Sequence, residues 1–197
     1  MTETASFTRI ALTAAPIFLS QGYAAVSVRK LAESMGIKAA SLYHHCPGGK
    51  AELYVRSLGV FLEEYRAGLR SAAGRAGFPN ALLRMADWMV VHPPVDLPRV
   101  LRVDLPHLDR GDASALVEQL HDAVLAPIAA ALELAKGSGA VPQELDVGLA
   151  AASVVSLVDG LGFSHLPSDR EPTTSEVSAA QRTVRAGLKL LVTGIAA

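Results

Sequence analysis

Apolar residues recur along this chain at the spacing of a helix and rarely alternate as they would in a strand. One example is the face at positions i, i+3, i+4 and i+7 formed by Val28, Leu31, Ala32 and Met35. Alanine and leucine fill most of the apolar positions, and alternating β-branched residues are few. Because these residues favour helix, the sequence predicts an all-α protein.

Glycines, prolines and capping residues divide the pattern into separate helices. In the N-terminal part we predict helices over residues 7–21, 28–35, 39–45 and 50–73. Beyond a glycine- and proline-containing loop we predict helices over residues 80–92, 112–136, 143–163 and 174–193. Pro16 and Pro127 should bend the helices that contain them, and the proline-rich residues 95–111 should be irregular.

Two short helices around one glycine stand out near the N-terminus. The Ser27 hydroxyl can cap the first of them, and Gly36 can take the left-handed conformation that ends it. The second helix should turn Leu42 and Cys46 inward and leave a surface of small and polar side chains outside. A helix-turn-helix inserts such a surface into the major groove of DNA, but short helix pairs also occur in all-α proteins with other functions.

A longer set of ordered motifs surrounds this helix pair. It comprises Phe18-Leu19-Ser20-Gln21-Gly22-Tyr23, Ser27-Val28-Arg29-Lys30-Leu31-Ala32, Gly36-Ile37, Ser41-Leu42-Tyr43-His44-His45, Pro47-Gly48-Gly49-Lys50 and Glu52-Leu53. With these motifs, residues 9–53 resemble the tetracycline-repressor (TetR) family of bacterial transcription regulators. The chain departs from the family at Cys46, where phenylalanine is usual, and at Ala39, where lysine is frequent.

The resemblance implies an N-terminal three-helix head joined by a long helix to a helical body for ligand binding and dimerisation. We accordingly divide the chain into a DNA-binding domain (1–49), a connecting helix (50–73) and an effector-binding and dimerisation domain (74–197). The candidate DNA-binding residues are Ser27, Arg29, Lys38, Ala39, Ala40, Ser41, Tyr43, His44 and Lys50. Ser27, Tyr43, His44 and Lys50 are expected to hold phosphates, and residues 38–41 to read bases.

The last two predicted helices carry more apolar surface than one narrow stripe requires. The resemblance implies that they pair with their copies in a four-helix dimer interface. Its candidate residues are Val154, Val158, Leu161, Val184, Leu188 and Leu191. The same pattern is also explained in part if these helices close the core of a single chain.

We predict an effector pocket among the apolar residues around the proline-rich stretch. Its candidate residues are Met85, Trp88, Met89, His92, Leu101, Asp104, Leu105, His107, Leu120, Val124 and Phe163. As a group they predict a small apolar or aromatic ligand, to which His92, Asp104 or His107 could offer a polar contact. For each residue alone, filling of the core is the more common role.

The formal net charge of −1 is unusual for a DNA-binding protein. It is unevenly divided, because residues 1–70 hold eight Lys or Arg and five Asp or Glu, whereas residues 71–197 hold ten and fourteen. The excess of positive charge thus accompanies the candidate DNA-binding residues. One cysteine and no zinc-type Cys/His spacing predict no metal and no cofactor. The longest strongly apolar run, residues 149–158, is too short to span a membrane, so we expect a cytoplasmic protein.

These observations predict a ligand-responsive transcriptional regulator rather than an enzyme. We expect a homodimeric repressor that a small apolar or aromatic effector releases from a palindromic double-stranded DNA operator. One alternative is an architectural DNA-binding protein without an effector. Another is a helical enzyme, although Asp104 with His107 and His121 with Asp122 lack a nucleophile and a phosphate-binding loop. A redox switch at Cys46 is a further alternative. It is less favoured because the sequence has no second cysteine with which Cys46 could form a disulfide.

Overall fold

The computed structural model describes residues 2–92, 96–164, 166–167 and 170–196, without the side chains of residues 2–6, 97, 163, 195 and 196. The described residues form helices and connecting turns and no strand, which confirms the all-α prediction. The N-terminal helices are α1 (Thr2–Gln21), α2 (Val28–Ser34), α3 (Ala39–His45), α4 (Gly49–Ala73) and α5 (Asn80–Val91).

The following part of the chain is helical but less regular. Its elements are α6 (Leu97–Arg99), a π-helical turn (Val100–Asp104), a 3-10 turn (Leu105–His107), α7 (Arg110–Leu120), a second π-helical turn (His121–Leu125), α8 (Ala126–Gly137), α9 (Val147–Phe163) and α10 (Thr174–Ala196). The prediction of an irregular stretch at 95–111 was therefore wrong for residues 97–107 and 110–111. Pro98 and Pro106 stand near the starts of their turns, where a missing amide donor costs least.

Helix ends follow the local capping chemistry. The capping box is confirmed, because the amide of Glu176 donates to Thr173 Oγ1 at 3.3 Å and the Thr173 amide donates to Glu176 Oε2 at 2.8 Å. Helix α9 begins four residues later than predicted, since the Asp146 carboxylate accepts the Leu149 amide at 2.9 Å and caps the helix there. The distortion expected at Pro127 lies just before it, as the π-helical turn.

Helix α1 and the residues around it belong to the first of two compact units. This unit contains residues 1–64 and 95–120. Its largest fully buried side chains are Phe18, Leu31, Leu42, Leu53, Tyr54, Leu58 and Leu116. The predicted head is thus part of a larger packed body that also includes the first half of α4 and the segment from α6 to α7.

The second compact unit contains residues 65–94 and 121–197. Here α10 packs on α9 and α5, and α8 packs on α9. Fully buried side chains include Leu69, Leu82, Met85, Met89 and Ile128. Helix α4 contributes to both units, whereas the sequence predicted a separate connecting helix with divisions before residue 50 and after residue 73.

One helical run has the length and apolar composition of a membrane span. It is Arg110–Gly137, and no other run among the described ranges meets both conditions. The cores of soluble proteins contain helices that meet the same conditions, and Leu116, Ile128 and Leu132 of this run are buried within the chain. The run therefore carries little weight as evidence for a membrane.

Candidate DNA-binding surface and effector sites

The joint between α2 and α3 is a tight turn stabilised by backbone bonds. Ser27 Oγ accepts the Lys30 amide at 3.2 Å at the start of α2. Gly36 has a φ of +66°, a conformation that a side chain at this position would strain. The Ile37 amide then donates to the Ala32 carbonyl at 3.0 Å, which closes the end of α2. These contacts form a helix-turn-helix.

Helix α3 has one buried and one open face. Leu42 and, just beyond the helix, Cys46 are almost completely buried, and they anchor it to the first unit. Its outward side chains are Ala40, Ser41, Tyr43 and His44, with Ala39 half-buried and Lys38 exposed before the first turn. Tyr43 is 52% exposed. The open face therefore offers small side chains, two hydroxyls and an imidazole, a combination that permits close approach to a DNA groove.

Arg29 and Lys50, two cationic candidates, already have partners in the chain. Arg29 Nε lies 2.9 Å from Glu33 Oε1 on the surface of α2. Lys50 Nζ lies 4.2 Å from the centre of the Tyr23 ring and donates to the Ala24 carbonyl at 3.4 Å. Burial lowers the pKa of Lys50. The ammonium of Lys50 thus lies over the Tyr23 ring. Its predicted contact with a DNA phosphate stays a prediction.

An aromatic cluster stands behind Lys50. The Tyr54 ring meets Phe18 edge-on at a centroid distance of 5.0 Å and Tyr23 at 5.2 Å. Phe18 and Tyr54 are fully buried, and Tyr23 is half-buried. This cluster joins the end of α1 to the first half of α4 and so holds the helix-turn-helix in place.

Asp104, predicted as an effector contact, is instead part of this cluster. Its carboxylate is buried and accepts the Tyr23 amide at 3.0 Å and the Tyr54 hydroxyl at 2.9 Å. Burial raises the pKa of Tyr54, and the bond to Asp104 raises it further. Because both oxygens have partners in the chain, Asp104 stabilises the first unit and is not a free polar contact for a ligand.

Arg99 supports the same carboxylate from the start of the segment. Its Nε lies 3.9 Å from Asp104 Oδ2, and its Nη2 donates to the Leu19 carbonyl at 2.6 Å. Leu19 lies in the last turn of α1, where free carbonyls favour a cation. Arg99 and Asp104 together attach the segment 97–107 to α1 and to the turn that follows it.

The other effector candidates of the first unit differ in exposure. Leu101 is 47% exposed, Leu105 is half-buried and Leu120 is buried. The exposed His107 ring stacks near Tyr23 at a centroid distance of 6.1 Å. These positions follow from the helical course of 97–107, which distributes neighbouring residues over several faces.

In the second unit, the effector candidates are mostly packed in the core. Met85, Met89 and Val124 are almost completely buried. The Trp88 ring meets Tyr65 edge-on at 4.8 Å and stacks on His92 at 4.3 Å. The ring also fills the space beside Gly68, where an added Cβ would lie 2.2 Å from Trp88 Cζ2. Trp88 is therefore packed against other parts of the chain, and an effector contact at this ring stays a prediction. The side chain of Phe163 lies outside the described residues.

A cleft does exist elsewhere in the second unit. It has a volume of about 420 Å³ and lies among the end of α4, the following loop, α5 and α8. Of the predicted effector residues only Met85 lines it, and its other lining residues include Arg70, Phe78, Ala130, Ala131 and Leu134. The sequence signal for it is the alanine-rich start of α8, since small side chains and not large or aromatic ones form most of this cleft.

The predicted dimer residues also have a role within one chain. Val154, Val158, Val184 and Leu188 are buried by the chain's own helices, as expected if these helices close the core of a single chain, and their part in a dimer stays a prediction. Leu161 and Leu191 are half-buried, and Leu161 Cδ1 would lie 2.7 Å from a Cβ at Gly187. The buried valines thus pack α9 against α10. The two helices approach closely where α10 has the small residue Gly187. The largest exposed apolar side chains of α9 and α10 are Leu149 and Leu190.

Cys46 is buried beneath α3. Burial, and next the Glu52 carboxylate, raises the pKa of the thiol. A raised pKa disfavours the thiolate through which cysteine reacts, so the surroundings favour a packing role over a redox switch. Among the described residues, no group of His, Cys, Asp and Glu is arranged to hold a metal ion.

Comparison with protein families identifies the N-terminal part of the chain. Residues 10–56 match the family described as bacterial regulatory proteins, tetR family. This range covers α2, α3 and most of α1, together with the first turns of α4, and thus the helix-turn-helix with its aromatic cluster. No curated protein sequence matches the chain.

Solved structures of similar fold cover nearly the whole chain. The regulator PfmR from Thermus thermophilus, of the TetR family, is 25% identical, with 94% of this chain and 97% of that one covered at a TM-score of 0.64. NemR of E. coli in its reduced form is 17% identical, with 97% of each chain covered at a TM-score of 0.72. The fatty acid degradation regulator FadR from Bacillus halodurans is 18% identical, with coverages of 93% and 98% at a TM-score of 0.66.

Proposed function

Because this chain is a member of the tetR family of bacterial regulatory proteins, whose members are transcription factors and not enzymes, we propose that it is an effector-controlled repressor. It binds a palindromic operator as a homodimer and leaves the DNA when a small apolar or aromatic molecule binds. The observation that carries this proposal is the open face of α3, which an anchored helix-turn-helix presents to solvent. The site of action is the bacterial cytoplasm, where the DNA lies.

The open face of α3 determines how the operator is read. Ala39 and Ala40 have no hydrogen-bonding side chain, so they contribute close approach and apolar contact with thymine methyl groups. In this proposal Tyr43, His44 and Ser27 hold phosphates, and Lys38 and Ser41 supply the polar contacts to bases. Much of the specificity then comes from DNA shape and from the spacing of two half-sites.

Release of DNA requires that the effector prefers a DNA-incompetent conformation, since only a difference in affinity shifts the equilibrium. Helix α4 is the element suited to transmit that preference. Its first half carries Tyr54 of the aromatic cluster, and its second half carries Gly68 and Arg70 beside Trp88 and the cleft. An architectural protein would have no need of a cleft in its body, which favours the effector-controlled form.

The first experiment measures DNA binding by gel-shift titration with the intergenic DNA upstream of the gene. We expect Tyr43→Phe to weaken binding about tenfold on all tested sequences, because it removes one hydroxyl bond to a phosphate. Ser114→Ala, which removes an exposed hydroxyl from α7, serves as the matched control and should leave affinity unchanged. Absence of a shifted band at low salt with the unchanged protein would refute DNA binding.

The proposed dimer forms through the outward faces of α9 and α10. Leu149 on α9 is 67% exposed and Leu190 on α10 is 78% exposed. Their neighbours on these faces are small, including Ser156, Gly160 and Ala186, which allows helices of two chains to approach closely. A two-fold dimer would place two α3 helices on successive major grooves.

Sedimentation measurements test this interface. We expect Leu190→Glu to convert the dimer to monomer at micromolar concentration, because it places a charge in an apolar contact. Leu134→Glu is the matched control, since Leu134 is 77% exposed but lies on α8, outside the proposed interface. A Leu190→Glu protein that sediments as a dimer would exclude these faces as the interface.

A further inference from the structure

We propose that the cleft of the second unit binds an apolar molecule that carries one anionic group, such as a medium-chain carboxylate. This inference rests on the proposed effector control and adds the ligand class and its site. It is carried by two features of the cleft, an apolar wall of small residues and a cationic end.

Small apolar side chains form the wall of the cleft. Ala73, Ala81, Met85, Ala130, Ala131 and Leu134 contribute to it. Leu134 is 77% exposed, although a side chain of this size usually gains free energy by burial. An apolar ligand that lies against Leu134 would remove it from water. The shortness of the alanines leaves the volume that such a ligand needs.

Arg70 provides the cationic end of the cleft, and a second guanidinium group lies beside the lining residue Gly74. Arg70 lines the cleft in the last turns of α4, and Gly74 lines it just beyond that helix. Arg84 Nη1 lies beside Gly74, 3.8 Å from the position of a Cβ there. In the part of the chain that the structure describes, neither Arg70 nor Arg84 forms an ion pair, and no Asp or Glu lines the cleft. Uncompensated guanidinium groups favour an anion, and a carboxylate matches their planar arrangement of donors.

The volume limits the size of the ligand. At about 420 Å³ the cleft lies near the lower end of the range of small-molecule sites. A linear carboxylate of about ten carbons is of suitable size for such a site. Its chain would contact the alanines and Leu134, and its carboxylate would accept hydrogen bonds from Arg70, with the charge of Arg84 near that end.

Calorimetric titration of the full-length protein with decanoate tests the site directly. We expect one decanoate per chain, and binding weaker by about ten- to a hundredfold in Arg70→Ala, because a charge-assisted bond is lost. Decan-1-ol, which has the same chain without the charge, should bind the unchanged protein more weakly by a similar factor. Arg102→Ala removes an exposed arginine that does not line the cleft, and it should bind decanoate normally.

A second pair of variants locates the ligand. Ala131→Leu fills the cleft and should abolish decanoate binding, whereas Ala67→Leu adds the same volume at an exposed position of α4 and should not. Decanoate binding that is absent from the unchanged protein, or that is unaffected by both Arg70→Ala and Ala131→Leu, would overturn this inference.

Gel shifts with the same proteins separate this inference from the proposed function. Operator binding without any decanoate binding overturns the ligand class and leaves the DNA-binding function intact. Decanoate binding without any operator binding overturns the repressor function and leaves the site intact. Support for both requires that decanoate releases the operator from the unchanged protein and not from Ala131→Leu.

Discussion

Asp104→Ala is expected to lower the free energy of unfolding by about 3–5 kcal/mol, because it leaves a partly buried guanidinium without its carboxylate. The same change removes the acceptor of the Tyr23 amide and of the Tyr54 hydroxyl. Each of these donors would then lack its partner in a buried setting, which adds to the loss. Urea unfolding at a fixed protein concentration measures the effect.

Two variants make the Asp104 experiment specific. Asp122→Ala removes a carboxylate that is 57% exposed and contacts the exposed His121 ring, so it should change stability by less than about 0.5 kcal/mol. Asp104→Asn keeps the volume and one acceptor, and its stability should fall between that of Asp104→Ala and that of the unchanged protein. A free energy of unfolding that is equal in Asp104→Ala and Asp122→Ala would refute the role assigned to this carboxylate.

We also expect Asp104→Ala to weaken operator binding under conditions in which it stays folded. Tyr23 follows α1 directly and forms the surface on which the Lys50 ammonium lies. Loss of the bond to its amide would loosen the turn before α2 and thereby the orientation of α3. Titration of the operator at a temperature well below the unfolding midpoint separates this effect from loss of folded protein.

Gly68→Ala is expected to destabilise the protein by about 1–3 kcal/mol, although alanine favours helix over glycine by about 1 kcal/mol. The added Cβ would lie 2.2 Å from Trp88 Cζ2 and 2.8 Å from Cη2, distances that require the indole to move. Movement is opposed on two sides, by the Tyr65 ring and by the His92 ring. Because Trp88 is the only tryptophan, its fluorescence spectrum should shift together with the unfolding midpoint.

The control for Gly68→Ala is the same substitution at a helical glycine with open space. Gly137 ends α8, and no atom outside its local helix lies within 4 Å of a Cβ built there. Gly137→Ala should leave stability unchanged or raise it slightly. If Gly68→Ala is as stable as Gly137→Ala and its fluorescence is unchanged, the close packing of Trp88 on α4 is refuted.

The helix-turn-helix could be predicted closely because its determinants are local. The Ser27 hydroxyl caps α2 by accepting the amide of Lys30, three positions ahead, and Gly36 adopts a positive φ that glycine favours. Within the short helix α3, Leu42 is buried and the residues on either side of it are exposed. Each of these relations spans a few residues, so the sequence displays it directly. The capping box at Thr173 was predictable for the same reason.

The effector residues were predicted less well because their roles depend on partners far along the chain. Asp104 meets Tyr23 across 81 positions and Tyr54 across 50, and neither partner has a local signal. The cleft presents a similar difficulty, since it arises where α4, α5 and α8 carry small residues at one place. A search for large apolar and aromatic side chains finds the core, whereas a cleft is formed by their absence.

By itself, the sequence determined the all-α architecture, the helix-turn-helix and its outward residues, because helical periodicity, caps and turn residues act over a few positions. The tertiary structure decided which of several apolar faces is core. It buried Val154, Val158, Val184 and Leu188 within one chain, and it brought Asp104 to the head. It also put a cleft beside Arg70. These outcomes depend on how whole helices pack, and packing is determined by contacts between residues that lie far apart in the sequence.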